Sequence, residues 1–350
     1  MQRDLDNQTT MTKKYRIAIV GATGAVGKEM LRILESRHFP IEEIRCFASP
    51  KSLGQSLLFK GEKIPLRVLD DSAFKNIDIA LFSAGKKISL EFAPKAVQEG
   101  AIVVDNSSGF RMDRDVPLVI PEVNPEALLK HKGIIASPNC TATIMLMALN
   151  PLHRLFHIKR IVLSTYQAAS GAGSVAMHEL QEETRAFFTK EPFRRTVMPH
   201  PYAFNLFLHN APMTDNNYND EEMKVIEEAR KILEEPSLPM AVTCVRVPIL
   251  RAHSESINVE FEKPVSADEA RLILANSPGV TLLEDWAGNR FPMPSDASFQ
   301  DNIFVGRIRN DLSQKNTIDL WVVGDQLLKG AALNAVQIAE KLISFDVAPH

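Results

Sequence analysis

The first 140 residues alternate between two hydrophobic patterns. Short apolar runs, such as Tyr15–Val20 and Ile102–Asp105, are typical of strands buried within a parallel sheet. Segments with apolar residues at helical spacing follow them, for example 26–36 and 92–99. Further buried strands are predicted at 44–48, 77–82 and 134–136. This alternation predicts an α/β fold with a Rossmann-like, doubly wound parallel sheet.

The pattern changes after residue 140. An apolar helix to about residue 156 is followed by longer strands and amphipathic helices, which predict an α+β second domain. The predicted strands are 161–166, 241–247, 256–261, 304–308 and 317–323, and the predicted helices are 174–188, 220–233, 266–275 and 327–343. The last two strands are predicted to be antiparallel and joined by a turn at Asn310 and Asp311.

Length and charge narrow the possible classes of protein. A chain of 350 residues is too long for one ordinary core and predicts about two domains. The net charge of −3 gives no reason to expect nucleic acid or an anionic membrane as a partner. The polar residues 1–14 resemble neither a signal nor a transit peptide, so we expect a cytoplasmic protein with a disordered extension at 1–11.

Three cysteines, Cys46, Cys140 and Cys244, are too widely spaced for a disulfide framework, and no spacing indicates zinc or another metal. Cys46 and Cys244 lie in strand-like apolar runs, so we interpret both as buried structural residues. Cys140 differs because it follows Pro-Asn and begins a predicted helix. It is either a packing residue or a nucleophile.

A glycine-rich turn joins the first predicted strand to the first predicted helix. Its sequence is Gly21-Ala-Thr-Gly24-Ala-Val-Gly27. Glycines permit the tight turn, and free amides at the start of the helix can bind a pyrophosphate. The spacing differs from the usual G-x-G-x-x-G. A plain tight turn is therefore the alternative to a dinucleotide site.

The end of the second predicted strand bears on the choice of cofactor. A cofactor with a free 2′-hydroxyl usually contacts an acidic residue about 20 residues after the glycine turn. This position holds Ser49-Pro-Lys51-Ser52, with hydroxyls and a lysine but no acid. The segment favours NADP over NAD. The alternative is that Lys51 is only a solvated loop residue.

If Cys140 is a nucleophile, its position at a helix N-terminus favours the thiolate and supplies amides for an oxyanion. A base is then required, and the chain has nine histidines. His253 stands out because it follows a predicted strand, between arginines and beside Glu255. His200 and His209 belong to a proline-rich stretch. A lone histidine is more often structural, so chemistry alone leaves the choice open.

Anionic substrates require arginines held in loops, because the guanidinium group matches carboxylate and phosphate geometry. The candidates are Arg111, Arg246 and Arg251. Arg111 follows the carboxyl end of a predicted strand, where ligands bind in doubly wound sheets. Residues 164–174 form a small-residue loop that is either a ligand contact or a simple connection.

Six motifs in the same order along residues 14–342 resemble the aspartate-semialdehyde dehydrogenase family. They are Gly-Ala-Thr-Gly-Ala-Val-Gly at 21, Asn-Ser-Ser-Gly-Phe-Arg-Met at 106, Pro-Asn-Cys-Thr at 138, Tyr-Gln-Ala-Ala-Ser-Gly-Ala-Gly at 166, Glu-Glu-Met-Lys at 221, and Arg-Val-Pro-Ile-Leu-Arg-Ala-His-Ser-Glu at 246. The resemblance implies NADPH-dependent conversion of aspartyl-4-phosphate to aspartate-4-semialdehyde through a cysteine thioester. That reaction serves biosynthesis of lysine through diaminopimelate, of threonine and of methionine.

The resemblance also implies residue roles, with Cys140 as nucleophile and His253 as general acid/base. The implied substrate residues are Arg111 and Lys224 toward phosphate, Arg246 toward the carboxylate, Glu221 toward the amino group, and also Gln167 and Asn139. The implied cofactor residues are Gly21, Thr23, Gly24, Ala25, Val26, Gly27, Lys51, Ser52, Ser170, Gly171 and Gln326.

The same resemblance implies an NADP-binding domain at 12–139 and a catalytic and dimerisation domain at 140–324, with a helix at 325–345 packed back on the first domain. A homodimer or homotetramer is expected. Three other interpretations remain: N-acetyl-glutamyl-phosphate reductase, a thiol hydrolase using Cys140 and His253, and a silent nucleotide-binding regulator. The glycine turn disfavours the hydrolase, since hydrolysis needs no dinucleotide.

Overall fold

A computed structural model describes residues 13–345; the expected extension at 1–11 lies outside the described residues. The described chain forms two sheets of seven strands each. The strands are β1 (Tyr15–Val20), β2 (Ile41–Phe47), β3 (Ser56–Phe59), β4 (Glu62–Arg67), β5 (Ile79–Phe82), β6 (Ile102–Asp105), β7 (Ile134–Ala136), β8 (Ile158–Gln167), β9 (Phe207–Leu208), β10 (Met240–Arg246), β11 (His253–Phe261), β12 (Val280–Leu282), β13 (Ile303–Asn310) and β14 (Thr317–Gly324).

In the part of the chain that the structure describes, eight α-helices connect or cover these strands. They are α1 (Ala25–Ser36), α2 (Lys86–Gln98), α3 (Cys140–Phe156), α4 (Ser174–Thr189), α5 (Asp220–Ile232), α6 (Ala267–Ala275), α7 (Pro294–Ala297) and α8 (Leu333–Ser344). Within residues 13–345 we find no helix that is both long and apolar enough to cross a membrane.

The first sheet has the order β3-β4-β2-β1-β5-β6-β7, with β1 paired in parallel to β2 and β5. Successive side chains of a strand point to opposite faces. Ile17 and Ile19 therefore pack with α1 and α8, whereas Ala18 and Val20 join the core that includes α2. Burial on both faces explains the uninterrupted apolar runs, and it confirms the doubly wound fold predicted from them.

The edge of this sheet differs from the prediction. Strands β3 and β4 form an antiparallel hairpin that the hydrophobic pattern did not indicate. Its turn is Lys60-Gly61, with φ of 49° and 81°, which is typical of two-residue hairpin turns. Leu58 is 67% exposed, so this edge pair lacks the apolar run of a central strand.

The second sheet has the order β12-β13-β14-β11-β8-β10-β9 and mixes parallel with antiparallel pairs. Burial alternates along β8 and β11, so one face packs against α3 and the other is half-exposed. The carboxyl ends of β8, β10 and β14 and the start of β11 lie at one edge, because β11 runs antiparallel to β8 and β14. This edge carries Gln167, Arg246 and His253.

One predicted turn is wrong. Strand β13 continues to Asn310, and the chain reaches β14 only at Thr317. The carboxylate of Asp311 accepts hydrogen bonds from the amides of Ser313 at 2.6 Å and Gln314 at 3.1 Å. This side-chain cap stabilises a longer loop than the predicted turn at 310 and 311.

The predicted helix 327–343 is interrupted at its start. A π-helical turn, Leu328–Ala332, precedes α8, and α8 packs against α1 and the first sheet. The amide of Gly330 donates to the carbonyl of Asp325 at 3.2 Å, and that of Ala332 donates to Leu327 at 3.0 Å. Each bond spans five residues, so the turn holds one residue more than an α-helical turn.

A buried lysine connects this turn to the first domain. The ammonium group of Lys329 lies within hydrogen-bond distance of the Glu122 carboxylate, of Gln337 Oε1 at 2.7 Å and of Asn334 Oδ1 at 3.2 Å. Asn334 Nδ2 donates in turn to the hydroxyl of Ser137 at 3.0 Å. Three acceptors for three N–H donors satisfy a charge that would otherwise be costly to bury.

Lys329→Met should therefore lower the free energy of unfolding by about 3–5 kcal/mol, because it leaves the Glu122 carboxylate, whose side chain is only 15% exposed, without its counter-charge. Urea unfolding followed by circular dichroism measures the change. Lys95→Met is the control, because Lys95 pairs with Asp71 at an exposed site and its loss should have no measurable effect. Equal stability of the two variants would contradict the role of Lys329.

Candidate active site

A cavity of about 510 Å³ lies between four parts of the fold. They are the glycine turn, the start of α3, the π-helical turn, and the strand ends of the second sheet that carry Gln167, Arg246 and His253. It brings together most of the residues that the sequence indicated. Those lining it are Gly24, Ala25, Val26, Arg111, Asn139, Cys140, Gln167, Ser170, Gly171, Glu221, Arg246, His253 and Gln326. Six further candidates, Gly21, Thr23, Gly27, Lys51, Ser52 and Lys224, do not line it.

Cys140 is the first residue of α3. The Asn139 side-chain oxygen accepts the amides of Thr141 at 2.9 Å and Ala142 at 3.4 Å, which caps the helix. On the other side lies the backbone of the π-helical turn. A Cβ at Gly330 would be only 2.8 Å from the Cβ of Cys140, so any side chain there would displace the nucleophile or the turn.

The helix N-terminus favours the Cys140 thiolate, as expected, but desolvation outweighs this effect in the structure. Burial raises the pKa of the Cys140 thiol to about 12, and the nearby Glu221 carboxylate adds to this effect. Arg111, Arg246 and the Thr141 amide lower the pKa, but by less. The thiol is therefore protonated at neutral pH and must lose its proton during attack.

His253 is fully buried at the start of β11. Its Nδ1 accepts a hydrogen bond from the Ala168 amide at 3.0 Å, so the neutral ring carries its proton on Nε2. Nε2 has no hydrogen-bond partner among the described residues, although it lines the cavity. Burial, followed by the charge of Arg246, lowers the pKa of His253 well below its usual value. The ring is thus a neutral donor facing the cavity.

Glu255, two residues further along β11, does not assist His253 as an ion. It is fully buried, and desolvation raises the pKa of its carboxyl well above the usual range. It faces Thr165 in the neighbouring strand and does not line the cavity. The sequence proximity of His253 and Glu255 therefore does not create a charged pair.

The predicted loop 164–174 is shorter in the structure, because residues 164–167 belong to β8 and Ser174 begins α4. The intervening turn contacts two side chains of the cavity. A Cβ at Gly171 would lie 3.0 Å from the guanidinium of Arg246 and from the ring of His253. Only glycine leaves both side chains in place. Gln167, at the end of β8, donates to the Thr141 hydroxyl at 3.1 Å and is thereby held beside Cys140.

Arg111 is held by a buried acid that sequence reasoning missed. Its guanidinium donates to Glu228 at 3.0 Å, to the Ser137 carbonyl at 2.9 Å and to the Asn106 carbonyl at 2.8 Å. The second oxygen of Glu228 accepts the Asn139 amide at 2.5 Å. Glu228 thus joins Arg111 to the segment before Cys140. The sequence signal that could have identified Glu228 is its position as an acid on the apolar face of the amphipathic helix α5.

Glu221 and Lys224 lie one turn apart on α5, but only Glu221 lines the cavity. Asn139 Nδ2 donates to Glu221 at 2.9 Å. Burial alone would raise the pKa of Glu221, but the neighbouring His209, the Asn139 hydrogen bond and the charges of Lys224 and Arg246 together lower it. Lys224 pairs with Asp220 at 2.5 Å.

The remaining arginine and histidine candidates have different environments. Arg251 does not line the cavity; it pairs with Asp325 at 2.6 Å and Glu29 at 2.8 Å, and so connects the second sheet to α1. His209, which the sequence placed only in a proline-rich stretch, lines the cavity and contacts Arg246.

The residues around the glycine turn fit a dinucleotide. Gly21 has φ of +88°, and a Cβ at Gly27 would lie 2.3 Å from the Gly21 carbonyl oxygen, so both positions require glycine. Helix α1 has neither a side-chain cap nor an acidic residue in its first turn, which leaves its N-terminal amides available for a phosphate. Gln326 contacts the Ser170 hydroxyl on the opposite side of the cavity.

Comparison with known proteins agrees with this geometry. The profile of the semialdehyde dehydrogenase NAD binding domain matches residues 16–131, and that of the semialdehyde dehydrogenase dimerisation domain matches 149–329. Aspartate-semialdehyde dehydrogenases from Synechocystis sp. and Bacillus subtilis are 53% and 44% identical to the chain, each covering 95% of it and 98% of the relative. The chain belongs to the aspartate-semialdehyde dehydrogenase family.

Solved structures of aspartate-semialdehyde dehydrogenases have the same architecture. The Vibrio cholerae enzyme II in complex with ASA superposes with a TM-score of 0.92 at 41% identity, over 95% of this chain and 99% of that one. The Candida albicans enzyme with NADP has a TM-score of 0.74 at 23% identity, over 94% and 98% of the two chains. The fold is therefore shared well beyond the range of high sequence identity.

A second cluster of ligand-type side chains lies outside the cavity. His153, His157 and Glu235 place one donor atom each within 4.8 Å of one another near the end of α3. Nδ1 of His153 already accepts the Ile158 amide at 3.1 Å, so the ring would have to give up that bond to present the tautomer that metals prefer. We assign no ion to this cluster.

The raised pKa of Cys140 predicts how the free enzyme reacts with iodoacetamide. Because only the thiolate reacts, the alkylation rate should rise about tenfold per pH unit between pH 7 and 10 without reaching a plateau. Cys140→Ser should remove this reaction, since Cys46 and Cys244 are buried. A plateau with a midpoint near pH 7 would show that the arginines and helix amides outweigh desolvation.

Proposed function

We propose that this protein catalyses the NADPH-dependent reductive dephosphorylation of L-4-aspartyl phosphate to L-aspartate 4-semialdehyde, a reversible reaction. The observation that carries the proposal is the convergence of Cys140, His253, Arg111 and Arg246 on one cavity that the glycine turn also lines. The chain's membership of the aspartate-semialdehyde dehydrogenase family supports it. The reaction serves biosynthesis of lysine through diaminopimelate, of threonine and of methionine.

Binding begins with charge recognition. The substrate carries two anionic groups, and two guanidinium groups, Arg111 and Arg246, line the cavity. Arg246 contacts the substrate carboxylate, while Arg111 contacts the phosphate. Glu221, which is ionised, contacts the substrate amino group. Gln167 and Asn139 complete the contacts beside Cys140. Lys224 is paired with Asp220, so we assign it a supporting role at the phosphate.

The sulfur of Cys140 attacks the acyl phosphate carbon, and phosphate departs as the thioester forms. The thiol proton has to leave in this step because the pKa of Cys140 is raised by burial, and the departing phosphate, which gains negative charge as the acyl bond breaks, accepts it. Because the Thr141 and Ala142 amides already donate to the Asn139 side chain, the Cys140 amide is the donor at the start of α3 that stabilises the tetrahedral oxyanion. Arg111 stabilises the leaving phosphate, while Glu228 keeps its guanidinium in place.

NADPH, when bound, supplies the hydride that reduces the thioester carbonyl. His253 presents its Nε2 proton to the cavity and hydrogen-bonds to the carbonyl oxygen as negative charge develops on it. For complete proton transfer, the ring must take up a proton on Nδ1 and release the Ala168 amide. The developing negative charge favours that uptake. The oxyanion then collapses to the aldehyde as the carbon–sulfur bond breaks, and the proton that His253 gives up passes to the sulfur and restores the Cys140 thiol.

For the cofactor, we propose NADP in preference to NAD. Gly21, Thr23 and Gly27 shape the turn, whereas Gly24, Ala25 and Val26 line the cavity. Lys51 and Ser52 lie in the short turn after β2, where the chain offers no acid to a 2′-hydroxyl. Ser170, Gly171 and Gln326 contact the nicotinamide side of the site.

We propose that residues 12–139 form the NADP-binding domain, residues 140–324 the catalytic and dimerisation domain, and that 325–345 returns to the first. The half-exposed face of the second sheet is the proposed pairing surface of a cytoplasmic homodimer or homotetramer. Tyr166 and Trp321 lie on that face with ring centroids 5.4 Å apart. Large apolar groups on an open sheet face are typical of a subunit interface.

The assay that tests the reaction supplies aspartate semialdehyde, phosphate and either NADP or NAD. Purified protein should reduce NADP, and Cys140→Ser should abolish the rate, because serine cannot form the thioester. N-acetyl-glutamate semialdehyde is the competing substrate. Turnover of that compound with no turnover of aspartate semialdehyde would assign the chain to the related reductase, and full activity of Cys140→Ala would exclude covalent catalysis.

Lys51→Glu tests the cofactor preference. Placing a negative charge beside the 2′-phosphate should raise the dissociation constant for NADP at least tenfold and leave that for NAD within about twofold. Lys60→Glu makes the same charge change in the exposed hairpin turn and serves as the control. Equal weakening of both cofactors by Lys51→Glu would show that Lys51 does not contact the 2′-phosphate.

A further inference from the structure

We infer that His209 is a positioning residue for Arg246: it orients the guanidinium toward the substrate carboxylate without cancelling its positive charge. The inference rests on the proposed assignment of Arg246 to that carboxylate. No motif in the sequence indicates this role. It emerges from a contact between Arg246, at the end of β10, and His209, which directly follows the paired strand β9.

Strand pairing determines where His209 lies. The two-residue strand β9 pairs antiparallel with β10, so that Phe207 faces Arg246 and Leu208 faces Val245. The amide of His209 then donates to the carbonyl of Cys244 at 2.8 Å. These backbone bonds place the imidazole beside the end of β10, where it lines the cavity.

The contacts of Arg246 are unusual for a buried arginine. One terminal nitrogen lies 2.6 Å from Nε2 of His209, and the other donates to the Ala168 carbonyl at 3.2 Å. The Nε group is buried without a partner among the described residues. Unlike Arg111, which pairs with Glu228, Arg246 has no carboxylate within ion-pair distance in residues 13–345.

His209 is suited to this position because it is neutral. A guanidinium offers only donors, so the close Nε2 atom must present its lone pair. The single proton of the neutral ring is then on Nδ1, so the Ala211 amide 3.2 Å from Nδ1 cannot donate to it, and protonation of Nε2 would break the contact with Arg246. Burial and the charge of Arg246 together lower the pKa of His209 to about 4.

A neutral acceptor and a carboxylate would have different effects on substrate binding. Aspartate or glutamate at position 209 would hold Arg246 as firmly but would compensate its charge before the substrate arrived. The imidazole restricts the orientation of the guanidinium and leaves the full charge for the incoming carboxylate. The same Ala168 residue contacts both Arg246 and His253, so the orientation is set relative to the catalytic ring.

The experiment compares His209→Gln, which retains a neutral acceptor, with His209→Glu, which introduces a carboxylate. With saturating NADP and phosphate, His209→Glu should raise KM for aspartate semialdehyde at least tenfold and leave kcat within about threefold. His209→Gln should keep both constants within about threefold of wild type. Asn210→Asp adds the same charge at the adjacent exposed position and is the matched control.

A second readout does not depend on turnover. L-2-aminobutyrate carries the amino and carboxylate groups of the substrate but no reactive carbonyl, so its binding should protect Cys140 from iodoacetamide. His209→Glu should raise the half-protecting concentration at least tenfold relative to the wild type, with protection in each protein measured against its own alkylation rate without the compound. This result would support the role of His209 even if the wild type failed to oxidise aspartate semialdehyde.

Three results would overturn the inference. They are an unchanged half-protecting concentration in His209→Glu, equal damage in His209→Gln and His209→Glu, and absence of protection in the wild type. A structural role alone predicts the second result, because both substitutions replace the ring. Comparing the two variants therefore shows whether His209 orients Arg246 while preserving its positive charge or only fills space.

Discussion

The site depends on close packing between the start of α3 and the π-helical turn. Cys140 contacts the backbone of Gly330 so closely that one methyl group there would overlap it. The turn is held in place by Lys329, which is buried among Glu122, Gln337 and Asn334, and Asn334 reaches back to Ser137. The nucleophile is thus enclosed between two parts of the chain almost 190 residues apart in sequence.

Enclosure has an electrostatic consequence. Removing Cys140 and His253 from water raises the pKa of the thiol and lowers that of the imidazole, so both groups are neutral in the empty site. Neighbouring arginines are not strong enough to reverse this. The proton movements of the reaction therefore depend on charges that the substrate and its phosphate bring into the cavity.

The two cavity arginines are supported in different ways. Arg111 has an acidic partner, Glu228, which also binds the Asn139 amide before the nucleophile. Arg246 has only neutral acceptors, His209 and the Ala168 carbonyl. Because burial strengthens every uncompensated charge, the second arrangement produces the stronger attraction for an anion. The cavity thus contains one arginine that has an acidic partner and one that has only neutral partners.

Hydrophobic periodicity was sufficient to predict most of the fold. A strand buried on both faces produces a continuous apolar run, and an amphipathic helix produces apolar residues at helical spacing, so each can be recognised from a few consecutive residues. It predicted β1, β6, β7 and α3 closely, and the glycine turn with them. The β3–β4 hairpin was not predicted, because its edge strands are half-exposed and lack a continuous apolar run. The π-helical turn was not predicted, because one additional residue in a turn barely changes the helical spacing of apolar residues.

For this protein, the sequence alone determined the two-domain α/β plan, the glycine turn, and the identities of Cys140, His253 and the arginines. The tertiary structure decided what surrounds them. The supporting residues Glu228, His209, Lys329 and Gly330 come from distant segments. Glu228 has a local signal, an acid on the apolar face of a helix, but the local sequence does not indicate the partners of any of the four. Burial, hydrogen-bond partners and hence protonation states are properties of packed neighbours, which a linear pattern of residues does not contain.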